Sequence, residues 1–205
     1  KTCKPHGPHS MTLSELRTLT RQRIRDTVKP YFVSDLEIDA YLNEAEREAC
    51  ERALLIEDHD SFTIDLTTTD TRYPIDPRII DVIDITIGTE IQRPFTDGWT
   101  LTETHLILDH LPTVADVLTL HCYRLPMRDM GDSDAPEIRP THHIKLADWA
   151  LHRCYLIPDS ELFNPDASAR SLGAFIQSFG ERPSALVRRN QRSKTPRRVA
   201  YNGAI

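Results

Sequence analysis

Ser34-Asp35-Leu36-Glu37-Ile38-Asp39-Ala40-Tyr41-Leu42-Asn43-Glu44-Ala45-Glu46-Arg47-Glu48-Ala49-Cys50-Glu51-Arg52-Ala53-Leu54-Leu55-Ile56-Glu57 runs directly into Asp58-His59-Asp60-Ser61-Phe62-Thr63-Ile64-Asp65-Leu66-Thr67. The change of period between these two stretches decides the fold. Ser34 to Glu37 has the form of a capping box, in which Ser34 takes the amide proton of Glu37 and Glu37 reaches back. Ile38, Tyr41, Leu42, Ala45, Ala49, Ala53 and Ile56 then recur at three and four residues, so they share one helix face. Glu44, Glu46, Arg47, Glu48, Glu51 and Arg52 read as the opposite, solvated face. The spacing predicts a helix from about Asp35 to Glu57, roughly 34 Å long. Beyond Asp58 the pattern alternates: Phe62, Ile64 and Leu66 against Thr63, Asp65 and Thr67, the signature of a half-buried strand.

Working outward, Thr12-Leu13-Ser14-Glu15 is a second capping box. It opens a first helix with Leu13, Leu16, Leu19, Ile24 and Val28 on its apolar stripe and Pro30 as its stop. Alternation resumes at Ile83, Ile85 and Ile87, at Leu106 and Leu108, and at Leu118, Leu120 and Cys122. Asp97-Gly98 supplies a hairpin-type turn before Trp99, and Asp76-Pro77 and Leu111-Pro112 are further breaks. From Arg128 to Pro140 the chain is polar and Asp-rich, a loop returning from the sheet. A third helix starts near Thr141, with Ile144, Ala147, Leu151, Cys154 and Tyr155 on one side. A fourth follows Asn164-Pro165, an N-cap with Pro at the first helical position. Leu172, Phe175, Ile176 and Phe179 form its apolar face, and Gly180 suits its C-cap.

The expected fold class is therefore α+β: an antiparallel four-helix body with an inserted small antiparallel β-sheet domain and an extended basic C-terminal arm. In residues, 1–10 form a flexible leader, 11–57 helices one and two, 58–139 the β domain, 140–181 helices three and four, and 182–205 the arm. Leu16, Tyr41, Leu42, Ala45, Leu151, Leu172, Phe175 and Phe179 are the expected packing residues of the helical body. Met11 suits a natural start, with the preceding residues an extension.

The 205 residues fit one domain, or one domain with a sizeable insertion. No run of 18 apolar residues is present, so no membrane helix is expected. Cys50, Cys122 and Cys154 fall in predicted elements, as small buried side chains do, and with Cys3 they do not form a disulfide framework. That usage suits a reducing compartment.

Charge changes sign near the C-terminus. Residues 182–205 carry seven basic groups and no acid, leaving −13 for residues 1–181 of a chain with net charge −6. The tail holds too little apolar surface to fold alone, so a partner is expected to order it. An acidic protein surface suits it better than nucleic acid, because the acidic body repels phosphate at close range. Tyr201 is its one aromatic, which argues against a single-strand stacking surface.

Motifs of catalysis are missing. Cys3, His6 and His9 have ligand-like spacing but lack a fourth ligand and a fixed frame. His142, His143 and His152 read as surface or interface histidines. Asp65, Asp70, Asp76, Asp81 and Asp84 fall at polar strand positions and turns, where Asp is ordinary. Trp99 and Trp149 read as core or interface anchors. There is no Gly-rich phosphate loop, Gly-x-Ser-x-Gly elbow or His-Glu-x-x-His. No cofactor, metal or enzymatic activity is expected.

Met11-Thr12-Leu13-Ser14-Glu15-Leu16, Ser34 to Ala45 with its Leu-Asn-Glu-Ala run, and Leu172 to Gly180 followed by the Arg-rich tail together resemble one family. That family is the tailed-phage head–tail connector proteins, also called adaptor or head-completion proteins. The resemblance covers most of residues 11–198. It implies a structural virion protein of the neck, between capsid and tail, present in the host cytoplasm during assembly. Such proteins form a ring, commonly of twelve copies, beneath the portal protein, and the far side meets tail or nozzle proteins. Genomic DNA passes through the channel without sequence-specific binding. By the same resemblance the arm docks on the portal, through Arg188, Arg189, Arg192, Lys194, Arg197, Arg198 and Tyr201. The isolated chain is expected to be a monomer or weak oligomer. The long sheet exceeds the insert of the smallest members, which leaves its tail-side partner open.

Two other classes compete. A DNA-binding or regulatory protein would use the tail as a non-specific anchor and show strong salt-dependent affinity for duplex DNA. A small enzyme using the Asp-rich sheet or the histidines would need a concave polar pocket.

Overall fold

A computed structural model describes residues 10–92, 98–158, 160–184 and 186–188. Its elements run α1 (Leu13–Ile24), α2 (Asp35–Ala53), β1 (Ile56–Leu66), β2 (Arg72–Pro74), β3 (Ile79–Ile87), β4 (Glu90–Gln92), β5 (Trp99–Leu101), β6 (His105–Leu108), β7 (Asp116–Arg124), α3 (Pro140–Cys154) and α4 (Pro165–Phe179). The chain divides into two compact units. One comprises residues up to Glu57 together with Arg124–Arg182, and the other holds Asp58–Tyr123 and the residues after Arg182. Strand β1 is continuous across the first division. Among the described residues no helix is long and apolar enough to cross a membrane.

The helix starts are those written in the sequence. Thr12 and Ser34 each accept from the amide of the Glu three residues on, and both glutamates return the bond to the cap amide. Asn164 accepts from the Ala167 amide, with Pro165 in the first turn. The ends differ. Arg25 turns left-handed (φ 60°) and stops α1 well before Pro30, so Val28 is 78 % exposed rather than part of a stripe. Leu54 does the same at φ 51° and stops α2 at Ala53. Ile56, which the helical spacing enlists, instead begins β1 as a buried strand residue.

The helical unit centres on α3, which packs against α1, α2 and α4, whereas α4 lies mainly on α3 and only brushes α2. This overturns the antiparallel four-helix body. α4 concentrates its burial in Phe175 and Phe179, whose rings pack 4.7 Å apart, with Trp149 of α3 5.1 Å from Phe175. It lies chiefly on one neighbour, α3, instead of closing a bundle. The buried stripe of α3 is His143, Leu146, Ala147, Trp149, Ala150, Leu151 and Cys154, while Ile144 is 43 % exposed. Trp149 Nε1 is buried and has no hydrogen-bond partner among the described residues, consistent with a ring placed for its apolar area.

Polar groups fix the connections within this unit. The Arg21 guanidinium binds Asp26 at 2.9 Å, Asp35 at 2.6 Å and the Val33 carbonyl at 2.8 Å, and lies over the Tyr31 ring. Asp26, 1 % exposed, also accepts from the amides of Phe32 and Val33. The turn between α1 and α2 is thereby satisfied from inside, as burial of its polar groups requires. The 125–139 loop is held by the helices. Asp132 and Asp134 carbonyls accept the first free amides of α1, those of Ser14 and Leu13. Asn43 exchanges two bonds with Met130, and Glu46 accepts from the amides of Glu137 and Ile138.

The expectation of a single inserted sheet is also corrected: the fold is α+β, with two antiparallel sheets. A four-stranded sheet has the order β1-β7-β3-β4 and a three-stranded sheet the order β2-β6-β5. Strands β2 and β6 pair from Arg72↔Ile107 to Pro74↔His105, and β5 pairs with the other edge of β6. Pro74 and Pro77 flank the break after the three-residue β2, so it cannot extend into the longer sheet. Alternation marks strands, but pairing is set by such breaks. The Tyr73 hydroxyl, near the Thr67 and Asp70 carbonyls and the Thr67 amide, pins the corner between β1 and β2. Trp99, Leu106, Leu118, Leu120, Cys122 and Ile85 are buried in this unit. Cys50, Cys122 and Cys154 are buried thiols, none in a disulfide among the described residues.

Glu46 yields a pH prediction. Burial pushes its carboxyl up to about 7, against the pull of the two amides. A raised folded-state value means the folded chain holds the proton more tightly than the unfolded chain. Its contribution to stability is therefore greatest at low pH and declines as pH rises from the ordinary carboxylate range through about 7. Glu46→Gln keeps the acceptor and removes the charge. Compared with the parent across pH 5 to 8, the variant should lose less stability in thermal unfolding, the gap growing toward about 3 kcal/mol. Parallel curves would contradict this assignment.

Candidate assembly interface

One face of α2 carries a charged ladder at three- and four-residue spacing. Glu48 precedes Arg52 by four residues, the favourable orientation on a helix, and the two pair at 3.2 Å. Arg153 of α3 pairs with Glu44 at 3.3 Å and stands over the Tyr41 ring. Arg47 reaches Asp129 at 3.0 Å. Tyr41, Glu44, Arg47, Leu125 and Arg153 border a shallow depression of about 460 Å3.

At one end of this ladder α4 terminates. Gly180, at φ 82°, ends the helix, and its amide returns to the Ile176 carbonyl at 2.7 Å. Its carbonyl accepts from Arg52 at 3.1 Å. The Arg52 side chain is only 7 % exposed. It also lies 5.4 Å from the Trp149 ring and 5.3 Å from Phe175, so one guanidinium meets α2, α3 and the end of α4. Two residues on, Arg182 pairs with Glu48 at 3.0 Å and Glu51 at 3.1 Å. The first basic residue of the C-terminal segment is thus tied to the acidic ladder of α2.

The remaining arm residues have a different standing. Leu186, Val187 and Arg188 are helical, with the Arg188 amide bonded to the Ser184 carbonyl at 3.0 Å and the Val187 amide to Ser184 Oγ. The start of the expected extended arm is therefore a helical turn, capped by Ser184. Arg189, Arg192, Lys194, Arg197, Arg198 and Tyr201 lie outside the described residues, as do Cys3, His6, His9 and the rest of residues 1–9. Leu16, Leu42, Ala45 and Phe175 are fully buried, Leu151 and Phe179 nearly so, and Tyr41 and Leu172 half-buried.

The histidines divide by environment. His143 is buried, not a surface residue: its Nδ1 accepts from the Met11 amide at 3.1 Å and its Nε2 donates to the Ile138 carbonyl at 2.9 Å. His152 joins α3 to α4 through Ser168 Oγ at 2.7 Å, and burial pulls its pKa below the ordinary value. His142 lies against Phe179. The aspartates scatter. Asp65 and Asp70 are exposed, Asp76 is held below the ordinary range by Arg78, and Asp84 meets His121. Trp99 is fully buried in the sheet unit. Sequence reasoning missed Arg21, Asn43, Glu46 and Arg52. A polar residue beside an apolar stripe is the only signal they leave, and it does not separate a buried anchor from a solvated face.

Arg52 and Arg182 test this geometry. Arg52→Ala removes one of the two arginines that pair with Glu48, takes the donor from the Gly180 carbonyl and removes a guanidinium from two aromatic rings. It should lower stability by about 3 kcal/mol and hasten proteolytic cleavage after α4. Arg182 is 55 % exposed, and Arg182→Ala should cost less than about 1 kcal/mol. Equal losses in chemical denaturation would contradict the distinction.

Residues 11–200 match the family model described as SU10 adaptor protein. The match spans nearly the whole chain, and the chain belongs to that family of phage head–tail adaptors. No curated protein matches it.

Proposed function

From membership of the SU10 adaptor protein family, with its structural role in the phage virion, we propose that the chain is a subunit of the neck ring between portal and tail. Its C-terminal arm docks on the portal, and the ring, of about twelve copies, continues the DNA channel. The observation that carries this reading is the root of the arm. Arg182 is fastened to Glu48 and Glu51, so the basic segment leaves the helical unit from a defined place. A tethered arm of six further basic residues gains avidity when many copies meet one portal ring.

Two more features support a ring. Val28, Phe32 and Leu36 are exposed apolar side chains within nine residues, a surface that lateral packing of subunits in a cyclic interface would cover. The body is acidic, and weak repulsion lets a DNA duplex slide through a channel rather than adhere. The tail-side partner is a tail or nozzle protein.

The basic tail also supports the competing DNA-binding reading, and one experiment separates them. Electron microscopy of the full chain mixed with the portal of its own phage should show a ring added to the portal, with little affinity of the isolated chain for duplex DNA. A stable solution dimer that ignores the portal, or strong DNA binding that falls steeply with salt, would sink the connector reading.

A further inference from the structure

The four-stranded sheet has two unequal edges. β4 closes one with three residues. β1 forms the other and is 11 residues long. An open edge offers N–H and C=O groups to any extended chain, so folded proteins guard it with charges, proline, short length or a covering element. On β1 the guards stand at two places, both in the sheet unit. The Asp58 carboxylate, 7 % exposed, accepts from the Ser61 amide at 2.9 Å and the Asp60 amide at 3.4 Å. Just past the strand end, the Tyr73 hydroxyl accepts from the Thr67 amide and stands 3.1 Å from the Thr67 carbonyl.

Between these guards, residues 62–66 contain no lysine, arginine or proline. Successive residues of a strand turn their backbone groups to opposite edges. The Ser61 and Thr67 amides are taken by side chains, so they stand outside the ladder to β7. Thr63 and Asp65 share their parity and turn an N–H and a C=O each to the outer edge, while Phe62 and Ile64 turn theirs to β7. Among the described residues no strand pairs with that outer edge. The side chains leave room as well. Phe62 and Leu66 are buried, but Ile64 between them on the same face is half-buried, so the apolar row is incompletely covered. Thr63 and Asp65 on the other face are exposed. Residues 58–123 hold 12 acidic and three basic groups, a net of −9. That field attracts a basic chain.

We propose that residues 62–66 of β1 are a docking edge for an extended basic segment of a partner protein, which joins the sheet as a fifth strand. The four backbone groups of Thr63 and Asp65 supply the main-chain bonds, and alternate side chains supply specificity. On one face of the incoming strand, apolar side chains complete the row of Phe62, Ile64 and Leu66. On the other, lysine or arginine meets Asp65. This inference does not rest on the adaptor reading.

The test is amide hydrogen exchange of the full chain, free and with a capped seven-residue peptide of alternating valine and lysine. In the free chain the Thr63 and Asp65 amides should exchange at least about tenfold faster than those of Phe62 and Ile64. The peptide should slow the first pair and leave the second unchanged. Thr63→Pro removes an outward amide and none of the ladder, and Asp65→Lys adds a guarding charge at an exposed position. Each should weaken peptide binding at least about tenfold, with the fold retained by circular dichroism. Thr63 and Asp65 amides already slow in the free chain would overturn the assignment. Protection lost on dilution would give the edge to a second copy, and protection lost in a chain ending at Ser184 would give it to the chain's own basic segment. Absence of binding, or binding that leaves both amides fast, would also overturn it.

Discussion

The helical unit depends on one buried guanidinium. Arg52 pairs with Glu48 beside it on α2, donates to the last carbonyl of α4 at Gly180, and lies between Trp149 of α3 and Phe175 of α4. An arginine can do this because its planar fork offers several donors while its faces tolerate aromatic rings. Lysine has one charged point and could not serve the carboxylate, the carbonyl and the rings together. α4 otherwise grips the unit by two phenylalanines and the Ser168–His152 bond, so the polar clasp at its end determines where the following segment leaves.

Next to that clasp, Arg182 pairs with Glu48 and Glu51 at the surface, so the start of the basic segment lies on the acidic face of α2. The same acidic ladder would bind any basic segment, so its neutralisation by the chain's own arginine also limits wrong pairing. Elsewhere the helical unit uses buried acids for internal order. Asp26 receives the α1–α2 turn and Glu46 receives the 137–138 backbone, each fixing a loop that has little apolar surface.

Much of this was legible in the sequence, and the limits have physical causes. The capping boxes at Thr12 and Ser34 and the Asn164-Pro165 start are local, since each involves atoms within three residues, and they form as written. Helix ends were less legible. Leu54 and Arg25 adopt left-handed backbone without glycine, so tertiary packing sets those ends where propensity gives no stop. Glu46 sits among acids and arginines and reads as solvated, yet it is 1 % exposed. Its partners are amides 91 and 92 residues away. The division into two sheets was hidden for the same reason: alternation reports which residues face inward but not which strands pair. The family resemblance drew on the local signals, the helix starts and the Leu-Asn-Glu-Ala run, which were the most legible parts.

The most direct test of the arm as docking element compares two chains, one intact and one ending at Ser184, binding to immobilised portal. Both should unfold at the same temperature, because α4 is closed at Gly180 and Arg182, while the shortened chain should lose at least tenfold in portal affinity. Undiminished binding by the shortened chain would contradict it and move the attachment to the helical unit.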